Sequence, residues 1–198
     1  MEKKKAIVPL ADGFEEIEAV TIINVLRRAG IEVVSFGTCG TIVTQPCCPQ
    51  GARGIRVCAD AEFDGLNAGI AARLPDAIVL PGGMKAMESF KSDARLLALI
   101  REFHAAGKIV AAICASPAAL ESAGILEGKH VVCHPDVVGL FPPARLRAGV
   151  RVLRDGNVIT GIGAGASAEF ALLIVATLLG EEAAADVAEK MRFAPPSL

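Results

Sequence analysis

The chain has 198 residues, 53% of them hydrophobic, which is enough to bury a sizeable core in one domain spanning 1–198. A net charge of −2 and a pI near 5.9 leave no basic stripe, which argues against sequence-specific nucleic-acid binding. Aromatic residues are only 4%, with no Trp or Tyr, which argues against stacking platforms for bases or sugars.

The longest largely apolar run, Phe170 to Leu179, has ten residues with Thr177 as its single polar member. A membrane span needs about 20, so no membrane partner is expected. Met1-Glu2-Lys3-Lys4-Lys5 leads into a strand rather than a signal-peptide core, and the expectation is an intracellular, cytoplasmic protein. In that setting the six cysteines, at 39, 47, 48, 58, 114 and 133, should be mostly reduced. No CxxC pair is present, so no metal site is expected.

In chain order, Lys5 to Leu10 reads as a first central strand and Ala11-Asp12-Gly13-Phe14 as the turn after it. Asp12 and Glu15 resemble a capping pair for a helix to about Arg28, closed by Gly30. Its apolar stripe is Ala19, Ile22, Ile23, Leu26 and Ala29. Three acids open this helix. Glu15 and Glu16 are read as complements to the helix dipole. Glu18 stands four residues before Ile22 and seven before Val25, so it leans towards the buried side. Desolvation or a neighbouring thiolate would hold it protonated there.

Ile31 to Phe36 is the second strand. Gly37 through Ala52 reads as a long surface loop or an irregular hairpin that finishes in a short strand, Ile55 to Cys58, with Arg53 at its start as a solvated charge. Asp76 to Leu80 is another buried strand, ending in Pro81-Gly82-Gly83. The glycine pair lets backbone approach a ligand closely and turn N–H groups towards an anion. A helix from Ser92 to Ala106 stops at Gly107, with Leu96, Leu99, Ile100 and Phe103 facing inward and His104 structural or exposed.

Ile109 to Ile113 is a buried strand, and Ser116-Pro117 is a helix start with serine at the N-cap and proline at the first helical position. Cys114 lies on the elbow between them. The helix N-terminus and the N–H groups that follow are expected to lower the thiol pKa from about 8.5 and favour the thiolate, the nucleophilic form. Gly83 and Ala115 N–H groups would form an oxyanion hole beside it. His130 to Cys133 reads as a short strand delivering His134, 20 residues after Cys114, as a candidate base. The alternative is a structural cysteine with an unrelated structural histidine. Val150 to Leu153 and Val158 to Thr160 form a hairpin. Gly161-Ile162-Gly163-Ala164-Gly165 lacks the residues of a phosphate loop and reads as a close-packed turn before a helix from Ser167 to Leu179. A last helix covers Glu181 to Met191, and Arg192 to Leu198 is a tail.

Five segments stand in the order seen in the DJ-one/ThiJ/PfpI superfamily: Ala11-Asp12-Gly13-Phe14-Glu15-Glu16-Ile17-Glu18, Leu80-Pro81-Gly82-Gly83, Ala111-Ala112-Ile113-Cys114-Ala115-Ser116-Pro117, Cys133-His134-Pro135 and Ser167-Ala168-Glu169-Phe170-Ala171. The chain most resembles the DJ-one branch. That resemblance implies a flavodoxin-like three-layer α/β sandwich with a mostly parallel sheet, assembled as a homodimer. By position, Cys114 matches the family's oxidation-sensitive nucleophile, Glu18 the acid bonded to it and His134 the nearby histidine. Gly82, Gly83, Ala115 and Arg53 fall at the substrate side, and Glu15, Ile17 and Cys58 at the dimer contact. The protease-like branch has histidine after the cysteine, and Ala115 here argues against peptidase activity. Ser116 stands where the family often has glycine.

The implied activity is a glyoxalase III or deglycase type, acting without a cofactor on methylglyoxal or on glycated protein and nucleotide groups. A second reading of the same residues is a redox sensor or chaperone-like protein in which Cys114 is oxidised to the sulfinate. A third is a silent member of the fold that binds partners through its dimer face.

Overall fold

Apolar runs without alternation suit strands covered on both faces. The computed structural model describes residues 3–38, 47–63 and 73–193. In chain order its elements are β1 (Lys5–Leu10), α1 (Glu16–Arg28), β2 (Glu32–Gly37), β3 (Ala61–Glu62), β4 (Ala77–Leu80), α2 (Met84–Ser92), α3 (Ala94–Ala105), β5 (Ile109–Ile113), α4 (Pro117–Ser122), β6 (Val152–Asp155), β7 (Val158–Gly161), α5 (Ser167–Leu179) and α6 (Glu181–Lys190). Short 3-10 turns cover Pro135–Leu140, Pro143–Arg145 and Ala164–Ala166.

The strands described form one sheet in the order β3-β2-β1-β4-β5-β7-β6, parallel except for the β6–β7 hairpin. β4 and β5 run in register from Ala77 opposite Ile109 to Leu80 opposite Ala112. α1 packs on α5, which packs on α6, whereas α2, α3 and α4 pack on one another. The result is the expected flavodoxin-like α/β sandwich, with β2-β1-β4-β5-β7 as its doubly wound centre.

The core is aliphatic with five fully buried phenylalanines, Phe14, Phe36, Phe90, Phe103 and Phe170. Each contributes roughly 1.5–3 kcal/mol by leaving water. At the amino end of the strands, Asp76 accepts from the Lys5 N–H at 3.0 Å and from Lys108 Nζ at 3.1 Å. Burial acts to raise its pKa, but the Lys5 N–H and the Lys108 and Lys4 ammonium groups outweigh it and hold the carboxyl below its ordinary value. This brace leaves the carboxyl ends of the strands for the site.

Several boundaries differ from expectation. The sequence reading names no helix between Gly83 and Ser92, yet α2 buries Ala86, Met87 and Phe90 there. α3 begins at Ala94 because the Asp93 side chain caps it, accepting from the Arg95 and Leu96 N–H groups. The strand expected at Ile55–Cys58 is a loop with one bridge, Gln50 to Arg56, and the sheet edge is supplied by β3. Around His130–Cys133 there is likewise a single bridge, Val131 to Leu146. Part of the Gly37–Ala52 loop, including Cys39, and most of the expected tail lie outside the described residues.

The expectation of mostly reduced cysteines is also corrected. The loop doubles back until the Cα atoms of Cys48 and Cys58 are 3.8 Å apart, and their sulfurs form a disulfide. Cys47 is disulfide-bonded as well. Among the described residues Cys114 and Cys133 are free thiols. Among those residues no helix is long and apolar enough to cross a membrane, and no cluster of three or more His, Cys, Asp or Glu could hold a metal.

Candidate active site

Parallel strands that end together place their following turns in one crevice. Here the turns after β1, β4 and β5 meet, bringing Glu15 to Glu18, Gly82 and Gly83, and Cys114 into one place. Cys114 sits in the left-handed region at φ 65°, a conformation that costs a residue with a side chain about 1–3 kcal/mol. Its N–H donates to the Gly161 carbonyl at 2.9 Å and the His134 N–H donates to its carbonyl at 2.8 Å, so both flanking segments hold the bend.

Ser116 is the residue before α4, but its hydroxyl makes no cap. The buried Oγ donates instead to the Pro81 carbonyl at 2.6 Å. The elbow is thereby tied to the neighbouring Pro81-Gly82-Gly83 turn. Gly82 stands between the two key side chains. A Cβ there would fall 2.5 Å from Cys114 Cβ and 2.6 Å from Glu18 Oε2.

Glu18 is fully buried at the start of α1. Its Oε2 accepts from the Gly82 N–H at 2.6 Å, its Oε1 has no hydrogen-bond partner among the described residues, and the carboxyl hydrogen-bonds with the Cys114 thiol. Burial pushes Glu18 up to about 7, although the Gly82 N–H and the thiol hydrogen bond oppose this. Burial also pushes Cys114 up to about 12, and the Glu18 charge and hydrogen bond add to the rise. The Gly83 and Ala115 N–H groups point at the sulfur and pull the other way. The expected thiolate is therefore corrected, because the helix end and two N–H groups are outweighed by burial beside a carboxylate. Burial thus holds both groups towards their neutral forms, and the sulfur keeps its proton beside the Glu18 carboxyl.

The sulfur opens onto a cavity of about 520 Å³ lined by Glu15, Arg53, Gly83, Lys85 and His134 among others. Arg53 projects from the loop rather than from a strand, and its guanidinium donates to the Ala52 carbonyl at 3.4 Å. His134 lines the same cavity as Cys114, with its Nδ1 accepting from the Asp136 N–H at 3.2 Å, and the thiol hydrogen-bonds with Glu18. Ile17 is 59% exposed on the outer side of α1, and Cys58 is committed to its disulfide.

Sequence reasoning missed Glu16. Its residue is buried, with Oε1 accepting from the Arg53 N–H at 2.6 Å and the Ile55 N–H at 3.3 Å. Burial opposes its ionisation, yet these N–H groups and its own hold the carboxyl below its ordinary value. Nothing local distinguishes it from Glu15, because its partners lie 37 and 39 residues away.

A doubly wound α/β sandwich that carries a strained cysteine on the elbow after a central strand, against a buried glutamate from the first helix, defines a class of cysteine-elbow proteins. The model of the DJ-1/PfpI family matches residues 4–177, and the chain belongs to that family. It is 36% identical over 195 residues to the Parkinson disease protein 7 homolog of Danio rerio, covering 94% of this chain and 96% of that one. Toxoplasma gondii DJ-1 in its oxidized form superposes with a TM-score of 0.88 at 36% identity, covering 97% of this chain and 100% of that one. The family also contains an enzyme with a named reaction, the isonitrile hydratase of Pseudomonas putida, 33% identical over 121 residues that make up 61% of this chain and 53% of that protein.

Proposed function

We propose that the chain is a cofactor-independent cysteine enzyme acting on methylglyoxal or on early glycation adducts of protein and nucleotide groups, of glyoxalase III or deglycase type. The observation that supports it is the buried Glu18 carboxylate facing the Cys114 thiol at the floor of an open cavity. The sulfur adds to the aldehyde carbon, and the thiol proton ends on the aldehyde oxygen, giving a hemithioacetal. Glu18 removes the proton from that carbon and returns it to the neighbouring carbonyl carbon, while the hemithioacetal hydroxyl proton passes to the oxygen of that neighbouring carbon, which yields a lactoyl thioester. Water then attacks the thioester, releasing lactate and restoring the thiol. The Gly83 and Ala115 N–H groups and Arg53 are the candidates for holding oxygen charge along this path. A pKa near 7 suits Glu18 to a proton that must be both taken and given. The test is lactate formation by wild type, Cys114→Ala and Glu18→Ala side by side. Both variants should lose turnover while keeping a native circular dichroism spectrum; undiminished lactate from Cys114→Ala would end the reading.

A second reading, a redox sensor, draws on the same unpartnered Glu18 Oε1. Once protonated, that carboxyl can donate to an oxygen of a Cys114 sulfinate. Peroxide treatment followed by mass spectrometry separates the two readings, since the sensor requires Cys114 to gain two oxygens before Cys133 reacts.

The chain is further proposed to act as a homodimer. Ile17, Val20 and Ile55, at 59%, 48% and 58% exposure, form an apolar strip on the outer side of α1 and the adjoining loop. Arg53 would then meet Glu15 of the partner subunit. Sedimentation of wild type against Ile17→Lys reads this out, with a shift to monomer expected.

A further inference from the structure

Glu16 takes part in no step of the reaction proposed above, yet it is a buried carboxylate in the same first turn of α1 as Glu18. We propose that Glu16 is the positioning residue for Arg53, fixing the peptide that carries it so that the guanidinium faces the cavity beside Cys114. The inference rests on the reading that Arg53 holds oxygen charge during the reaction, and says how the chain aims that charge.

The tip of the loop is shaped around this one side chain. Glu16 Oε1 accepts from the Arg53 N–H at 2.6 Å and from the Ile55 N–H at 3.3 Å. Gly51 lies against the same carboxyl so closely that a side chain there cannot be accommodated. Burial acts against ionisation of Glu16, but the N–H groups of Glu16, Arg53 and Ile55 and the Arg53 charge outweigh it, so the acceptor is a carboxylate at neutral pH. Hydrogen bonds to an ionised acceptor are roughly twice as strong as neutral ones.

The other bonds of the loop close it without placing Arg53. Ala59 N–H donates to the Cys47 carbonyl at 2.9 Å, Val57 N–H to the Pro49 carbonyl at 3.2 Å, Gly51 N–H to the Ile55 carbonyl at 2.8 Å and Ala52 N–H to the Phe14 carbonyl at 2.8 Å. The Arg53 N–H has Glu16 as its acceptor instead. Losing the carboxyl therefore leaves the hairpin closed but strands two N–H groups at its tip, and the Arg53 peptide turns towards water to satisfy them.

Arg53 and Lys85 are the arginine and lysine of the cavity lining. Lys85 is turned to Asp12 at 3.7 Å, whereas Arg53 has no ion pair within 4.0 Å among the described residues. Its charge is thus the one left to act on a bound oxygen. This role needs Arg53 to face the cavity it already lines, and the lining contains none of Ile17, Val20 and Ile55, the strip assigned above to dimer contact.

The experiment compares alkylation of Cys114 in the full chain by iodoacetate, an anion, and by iodoacetamide, its neutral analogue, with the Cys114 peptide quantified by mass spectrometry. Arg53→Gln should lower the iodoacetate-to-iodoacetamide rate ratio roughly fivefold. Glu16→Ala should lower it nearly as far, although deleting a negative charge would by itself favour the anionic reagent. The double variant should go no lower than Arg53→Gln alone. Glu16→Gln removes the same charge but keeps an oxygen for both N–H groups, so its ratio should equal or exceed that of wild type. A ratio in Glu16→Ala at or above wild type, or an unchanged ratio in Arg53→Gln, overturns the proposal. If Glu16→Ala fails to fold, Gly51→Ala decides, because its methyl displaces the carboxyl while leaving the charge in place; a lowered ratio is expected and a wild-type ratio overturns the proposal. On methylglyoxal, Glu16→Ala should lose as much kcat/KM as Arg53→Gln. Absence of lactate from wild type would sink the proposed reaction and leave the alkylation result to decide the role of Glu16.

Discussion

Ser116 Oγ and the Pro81 carbonyl meet at 2.6 Å in the interior, joining the cysteine elbow to the turn that follows the neighbouring strand. The net contribution of such a bond is modest, but removing the hydroxyl strands the buried acceptor and costs its desolvation. Ser116→Ala should therefore lower unfolding free energy by about 1–3 kcal/mol in urea titration. A loss within error would show that the Pro81 carbonyl finds another donor.

Glu18 gives stability a pH slope of defined sign. Its folded pKa, about 7, lies above the ordinary 4.5, so the native state binds more protons than the unfolded chain between those values. The contribution is complete below about 4.5 and is lost as pH rises through about 7. The total is on the order of 3 kcal/mol. Urea titrations across this range should show wild-type stability falling with pH and Glu18→Gln nearly flat.

Gly82 is required by space rather than by backbone conformation, since an added methyl would collide with both Cys114 Cβ and Glu18 Oε2. Gly82→Ala should reduce kcat/KM on methylglyoxal roughly 100-fold by displacing the sulfur or the acid. Alkylation of Cys114 by iodoacetamide, followed in parallel, should also change. A wild-type alkylation rate would contradict the crowding.

Asp76 acts at the opposite end of the sheet and with the opposite sign. Its pKa is held down by the Lys5 N–H, Lys108 and Lys4 against the effect of burial, so its contribution is present above the ordinary carboxylate value and lost as pH falls through the lowered one. Asp76→Asn should lower stability at neutral pH by about 1–3 kcal/mol and make acid unfolding shallower. Circular dichroism during acid titration measures both.

Much of this was legible locally. The continuous apolar runs in β1, β4 and β5, the strand-to-helix change at Cys114 and the inward lean of Glu18 are written in residue order, because strand burial, helix starts and helical period depend on near neighbours. What sequence reasoning mistook depends on distant ones. Ser116 looks like a cap and becomes a tie to Pro81 35 residues earlier, and Glu16 looks like a dipole partner and becomes the anchor of a loop 37 residues later. The sulfur is the clearest case. Its elbow could be read from the chain, and the elbow's N–H groups do point at it, but burial raises its pKa and the carboxylate that folding sets beside it adds to the rise. Sequence alone determined the sheet's central strands, the family and the residues that compete for the proton, since those follow from pattern and order. Only the tertiary structure decided where the proton rests and which cysteines pair, because desolvation and sulfur-to-sulfur distance exist only once segments far apart in the chain have met.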